Sequence, residues 1–136
     1  MGRGSIVTRK DGEATKNGGL VEAMKHSVKI SEGIEFRKIG GYVLRLVNPA
    51  TVGSKNIGTS MCYLNPGEEI VQHQHEYEEV YFIVSGEGTM VLEGQTIALE
   101  KNLSVYIPGN AMHGQKNTGQ EPLVIYCALS PAPKIS

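Results

Sequence analysis

Apolar residues in this chain gather in runs of about four to eight, and no amphipathic helical period of any length follows residue 30. The runs are YVLRLV (42–47), TSMCYL (59–64), EVYFIV (79–84), GTMVLE (88–93), TIAL (96–99), LSVYI (103–107) and PLVIYCAL (122–129). Val, Ile, Tyr and Thr dominate them, the residue types that pack well on a pleated, half-buried surface. Turn chemistry separates the runs: Asn65-Pro66-Gly67, Ser85-Gly86, Glu93-Gly94 and Pro108-Gly109-Asn110. Many short strands at regular spacing predict an all-β sandwich or barrel. Helix is expected at most as a turn near residues 19–26.

The ends read differently. Residues 1–27 are rich in Gly, Lys, Asn and Thr and poor in apolar residues, which predicts a flexible N-terminal arm ahead of a single domain over 28–136. The arm has basic residues but no apolar core of a secretory signal, and Met24 is a candidate internal start. The C-terminal SPAPKIS carries prolines that keep it out of regular sheet.

Composition narrows the function classes. The 136 residues suffice for one real core, and 13 Lys+Arg against 14 Asp+Glu leave a formal charge of −1. That balance gives no electrostatic support for nucleic acid or an anionic membrane as partner, and no apolar run approaches a membrane span. Cys62 and Cys127 lie in apolar stretches without metal-pair spacing, so buried free thiols in a reducing cytoplasm are expected. A disulfide stays open if their strands are neighbours.

The chemistry concentrates in GEEIVQHQHEYEEVYFIVSG (67–86). On a strand, His73 and His75 share a face, as do Glu79, Tyr81 and Ile83, with Val80, Phe82 and Val84 opposite. If residues 76–78 turn the chain back, Glu79 can meet both imidazoles; Glu78 is its one rival, and alternation favours Glu79. His113, after Pro108–Met112, begins another strand, so three of the four histidines are placed at strand starts beside turns. A solvated surface cluster and a metal site are both compatible with these residues alone. His26, in the polar N-terminal region, is expected to be solvated.

Gly67, His73, His75, Glu79 and Gly86 fit G-x5-H-x-H-x3-E-x6-G, and Pro108, His113 and Asn117 hold part of G-x5-P-x-G-x2-H-x3-N. These motifs resemble those of the cupin superfamily. Two departures stand out: Asn102 replaces the first glycine of the second motif, and Asn110 replaces the other, with Gly109 one place earlier. Asparagine tolerates the left-handed backbone such turns need, so both can survive. The resemblance covers about residues 40–130. It implies a double-stranded β-helix, or jelly-roll, barrel and one divalent transition metal (Fe, Mn, Ni, Co or Zn) held by His73, His75, Glu79 and His113. It also implies a homodimer and a small-molecule substrate.

Such a site suits metal-dependent chemistry on a small oxygenated molecule, with dioxygenase or oxalate-type oxidoreductase chemistry expected first. Isomerase or lyase activity, and sugar or acid binding without turnover, are the alternatives. Tyr81 and Gln115 are the candidate catalytic residues, and Tyr63, Met61, Tyr106 and Gln72 further candidates for the pocket wall. Arg45, inside an apolar strand, is expected to snorkel to the surface, the alternative being a grip on a substrate carboxylate or phosphate.

Overall fold

The computed structural model describes residues 25–134. Ten strands form two antiparallel sheets that close over one core, the jelly-roll barrel expected from the alternation. In chain order they are β1 (Ile34–Phe36), β2 (Tyr42–Arg45), β3 (Gly58–Leu64), β4 (Glu69–His73), β5 (Glu78–Ser85), β6 (Gly88–Leu92), β7 (Gln95–Leu99), β8 (Ser104–Ile107), β9 (His113–Asn117) and β10 (Leu123–Ser130). The larger sheet runs β1-β2-β3-β10-β5-β8 and the smaller β4-β9-β6-β7. No helix among the described residues is long and apolar enough to cross a membrane. The helical turn placed near residues 19–26 and most of the arm lie outside the described residues; His26 is exposed.

Alternation sorts the long strands β3 and β5 into an inner and an outer face. Along β3, Ser60, Cys62 and Leu64 point in while Thr59, Met61 and Tyr63 point out. Along β5, Glu79, Tyr81 and Ile83 are buried and Val80, Phe82 and Val84 exposed. The apolar trio therefore forms part of the outer surface. Among the described residues, helical structure is confined to a 3-10 turn at Ile30–Glu32 and one α-turn, α1 (Pro49–Val52), capped by the Asn48 side chain. Both fall where no helix was expected.

Turn residues close the hairpins. Glu93 (φ 49°) and Gly94 (φ 80°) link β6 to β7 as a two-residue turn with both central residues left-handed. Asn102 and Asn110, at the two positions where the motif would place glycine, do adopt left-handed backbone, at φ 74° and 67°. Gly109 lies against the next loop, where an added Cβ would stand 2.6 Å from the Glu76 carbonyl oxygen.

The barrel is filled at one end and open at the other. Leu64, Ile83, Met90, Ile107, Leu123 and Ile125 are fully buried and pack between the sheets. Along β10 the inward residues run Leu123, Ile125, Cys127, Leu129; the first two belong to this core and the last two line a cavity. That cavity lies where β4 ends and β5 and β9 begin, and His73 and His75 line it.

Candidate functional site

His73 closes β4, His113 opens β9, and the two face each other across the β4–β9 ladder. Only His113 therefore sits at a strand start. His75 lies beyond β4, in the bend before β5, so its approach to His73 does not come from strand alternation. The bend is held from the side: the Asn110 amide donates to the His75 carbonyl at 2.6 Å. Close approach of Gly109 to Glu76, which needs the absence of a Cβ, keeps these loops together.

The three imidazoles are oriented alike. Nδ1 of His73 meets the Val71 carbonyl at 2.8 Å, that of His75 the Tyr77 carbonyl at 3.1 Å, and that of His113 the Ala111 carbonyl at 2.8 Å. Each Nδ1–H donates to a backbone oxygen two residues away, which turns Nε2 inward. The ligand atoms of the three histidines lie within 4.8 Å of one another. His113 is entirely buried and its Nε2 has no hydrogen-bond partner. An orphaned buried nitrogen of this kind costs about 1–3 kcal/mol, and a cation accepting its lone pair removes that cost. His73, His75 and His113 are thus positioned to bind a metal ion, and neutral imidazoles suit a divalent transition metal.

Glu79 reaches the cluster from β5. Its Oε1 is 3.1 Å from His75 Nε2 and 3.6 Å from His113 Nε2, the latter too long for a hydrogen bond. Burial by itself would raise the Glu79 pKa, but the two neighbouring imidazoles outweigh it and hold the carboxyl below its usual range. The hydrogen bond to Glu79 raises the His75 pKa, whereas burial lowers that of His73. Glu78 points outward and accepts from the Tyr106 hydroxyl, so it takes no part in the cluster.

The cavity beside the histidines has a volume of about 300 Å³, at the lower end for small-molecule sites. Its walls are mostly apolar: Phe36, Ile39, Val43, Ile70, Leu129 and Pro133. Tyr81 and Gln115 both line it; the buried Tyr81 hydroxyl donates to Gln115 Oε1 at 3.2 Å. Burial pushes the Tyr81 pKa well up, so the phenol stays protonated.

Other expected wall residues lie elsewhere. Tyr63, Met61 and Tyr106 stand on outward faces, and Gln72 is exposed, 3.4 Å from the Val91 carbonyl. Arg45 is the reverse case: it is only partly buried, and it lines the cavity. Cys62 and Cys127 were not expected in the wall, yet both line it as free, buried thiols. Burial raises the pKa of both, Cys62 to about 12. They sit on paired strands but in diagonal register, Cys62 opposite Ile125 and Cys127 opposite Ser60. Diagonal neighbours are roughly 7–8 Å apart, beyond the reach of a relaxed disulfide.

Comparison with known proteins agrees with this geometry. A model of the cupin domain matches residues 60–129. The chain is 36% identical over 111 residues to polyketide synthase CurC of Streptomyces cyaneus, covering 80% of this chain and 72% of that protein. It is 24% identical over 119 residues to tetracenomycin polyketide synthase protein TcmJ of Streptomyces glaucescens, covering 87% and 80%. Among solved structures, the polyketide cyclase RemF from Streptomyces resistomycificus superposes with a TM-score of 0.67 at 15% identity, covering 83% of this chain and 88% of that one. Dioxygenases and a dimethylsulfoniopropionate lyase are further relatives. With its motif histidines gathered at the open end of a jelly-roll barrel, the chain belongs to the cupin family.

Proposed function

We propose that this chain is a metal-dependent enzyme acting on a small, oxygen-rich, enolisable substrate of the kind polyketide assembly produces. The observation that carries the reading is the buried His113 Nε2, aimed without a partner into the cluster beside a mostly apolar cavity. Similarity to CurC, TcmJ and RemF favours the substrate class. His73, His75 and His113 would hold the ion, with Glu79 as fourth ligand once the proton it shares with His75 is displaced. When bound, the metal supplies Lewis acidity that acidifies carbon next to a coordinated carbonyl and, as Fe(II), a route to dioxygen.

The protein's own groups divide the remaining work. Tyr81 gives its only proton to Gln115 Oε1, which leaves the Gln115 amide N–H free to donate to a substrate oxygen as negative charge develops there. Tyr81 is then a positioning residue and Gln115 the catalytic donor. The apolar walls keep water from an enolate and strengthen that hydrogen bond.

The test is deuterium exchange at the central carbon of 1-(2-hydroxyphenyl)butane-1,3-dione, followed by NMR with Zn(II)- and Fe(II)-loaded protein beside an oxygen electrode. Metal-dependent exchange is expected, slowed by about 100-fold in Gln115→Ala, the effect of removing one preorganised donor. Oxygen uptake with Fe(II) and no exchange would move the assignment to the second reading, a dioxygenase, which the dioxygenase relatives favour. Silence in both assays would sink the enzyme reading.

A homodimer completes the proposal. Val80, Phe82 and Val84 are exposed side by side on β5, with Tyr106 opposite Val80 on β8 and Tyr126 opposite Phe82 on β10. A contiguous apolar face of this kind is characteristic of a self-association surface. Light scattering behind size exclusion should give twice the 14.7 kDa chain mass, and Phe82→Glu should shift the protein toward monomer. A monomeric wild type at micromolar concentration would count against it.

A further inference from the structure

We propose that Arg45 is the anion anchor of the cavity, receiving a carboxylate at the end of a planar substrate remote from the three histidines. This rests on the reading of the cavity as a substrate pocket. Inward-facing Arg45 on β2 pairs with Ser60 on β3, Ser60 with Cys127 on β10, and Cys127 with Tyr81 on β5. Arg45 thus stands three interstrand steps of about 4.8 Å, roughly 14 Å along the sheet, from Tyr81, whose ring centroid lies 6.3 Å from that of His113. Both ends open into the same cavity.

The guanidinium is held and yet uncommitted. It lies over the Phe36 ring, 4.2 Å from the centroid, and among the described residues none accepts a hydrogen bond from it. Among the described residues no carboxylate pairs with it. Glu35, its nearest acidic neighbour in sequence across the β1–β2 ladder, turns to the opposite face and meets Arg37 and Tyr42. Glu79, the one acid in the cavity wall, is engaged by His75. Partial burial already disfavours the charged guanidinium, and an anionic ligand would offset that.

The charge and shape of that ligand follow. With no second cation among the described residues of the wall, one guanidinium neutralises one negative charge, which fits a carboxylate better than a dianionic phosphate. The face of the guanidinium away from Phe36 can stack on an aromatic ring, and Ile39, Val43 and Leu129 supply apolar contact to the body of the molecule. The substrate class is therefore a planar monocarboxylate with an apolar middle and its oxygen donors at the opposite end.

Two probes separate the anchor from the metal end: 6,7-dihydroxy-2-naphthoate and its neutral counterpart 2,3-dihydroxynaphthalene. Titration calorimetry would measure both against the full chain, metal-loaded and metal-free, for wild type, Arg45→Gln and Arg45→Lys. Wild type should bind the carboxylate about 10–100-fold more tightly than the neutral probe, as a charge-assisted bidentate contact provides. The ratio should fall to about one in Arg45→Gln and partly recover in Arg45→Lys, which lacks the planar fork. A ratio unchanged in Arg45→Gln, or no carboxylate preference in wild type, including no binding of either probe, overturns the proposal. Failure of the metal reading would appear separately, as absent metal alongside an intact carboxylate preference in the metal-free protein.

Discussion

Replacing His113 with alanine is expected to lower metal affinity by more than about 100-fold, since altering even the groups that merely orient a ligand costs 10–100-fold. His113 is the best prepared of the three imidazoles: it is fully buried, and its Nδ1 is locked on the Ala111 carbonyl. Its free Nε2 faces His73, at 4.3 Å between ring centroids, and Glu79. Nothing else among the described residues satisfies that nitrogen. Elemental analysis of protein purified without chelators, followed by chelator competition, measures the loss directly. His113→Gln guards against a folding artefact, because it keeps polar volume at the site while displacing the donor atom. Thermal unfolding of the metal-free forms separates loss of the ligand from loss of the fold. A His113→Ala protein that retains the wild-type metal content would remove the basis of the proposed chemistry.

Alternation carried most of the barrel. In EVYFIV it separated Glu79 and Tyr81 from Val80 and Phe82, and it chose Glu79 over Glu78 to face inward. It works because a pleated strand has a period of two, so one buried residue fixes the face of its neighbours. It fails where strands are short or polar. β1 has three residues, and β4, EIVQH, is mostly exposed, so neither stands out as an apolar run. The one-turn helix α1 is too brief for any period; its signal was local, an Asn-Pro pair at the helix start.

Arg45 shows the other limit. Its place two residues after Val43 put it on the inward face, but the general tendency of arginine to reach water argued the opposite. What the pattern misses is Phe36, on a strand too short to recognise, whose ring the guanidinium covers beside the cavity. The convergence of His73 and His75 had a similar hidden cause. Strand geometry does not bring them together; the β8–β9 loop does, through Asn110 and Gly109.

Asn117→Ala should destabilise the barrel by about 3 kcal/mol while leaving metal affinity in the folded protein near wild type. Asn117 carries the last position of the second motif, yet it does not line the cavity and lies at the filled end of the barrel. Its Nδ2 donates to the Leu64 and Glu121 carbonyls and its Oδ1 accepts from the Gly119 amide, each at 2.8 Å. One side chain thereby joins the end of β9 to the end of β3 and shapes the loop into β10. Alanine leaves two carbonyls and an amide without these partners in a largely buried setting, at about 1 kcal/mol or more for each. In thermal unfolding the loss corresponds to a midpoint lower by on the order of 10–15 °C for a domain of this size. Asn117→Asp sharpens the test: it keeps the acceptor for Gly119 but sets a carboxylate against two carbonyl oxygens, so it should be at least as damaging as alanine. A structural clamp predicts that both variants, once folded, take up metal as the wild type does. A fall in metal affinity without a fall in the unfolding midpoint would instead make Asn117 part of the site.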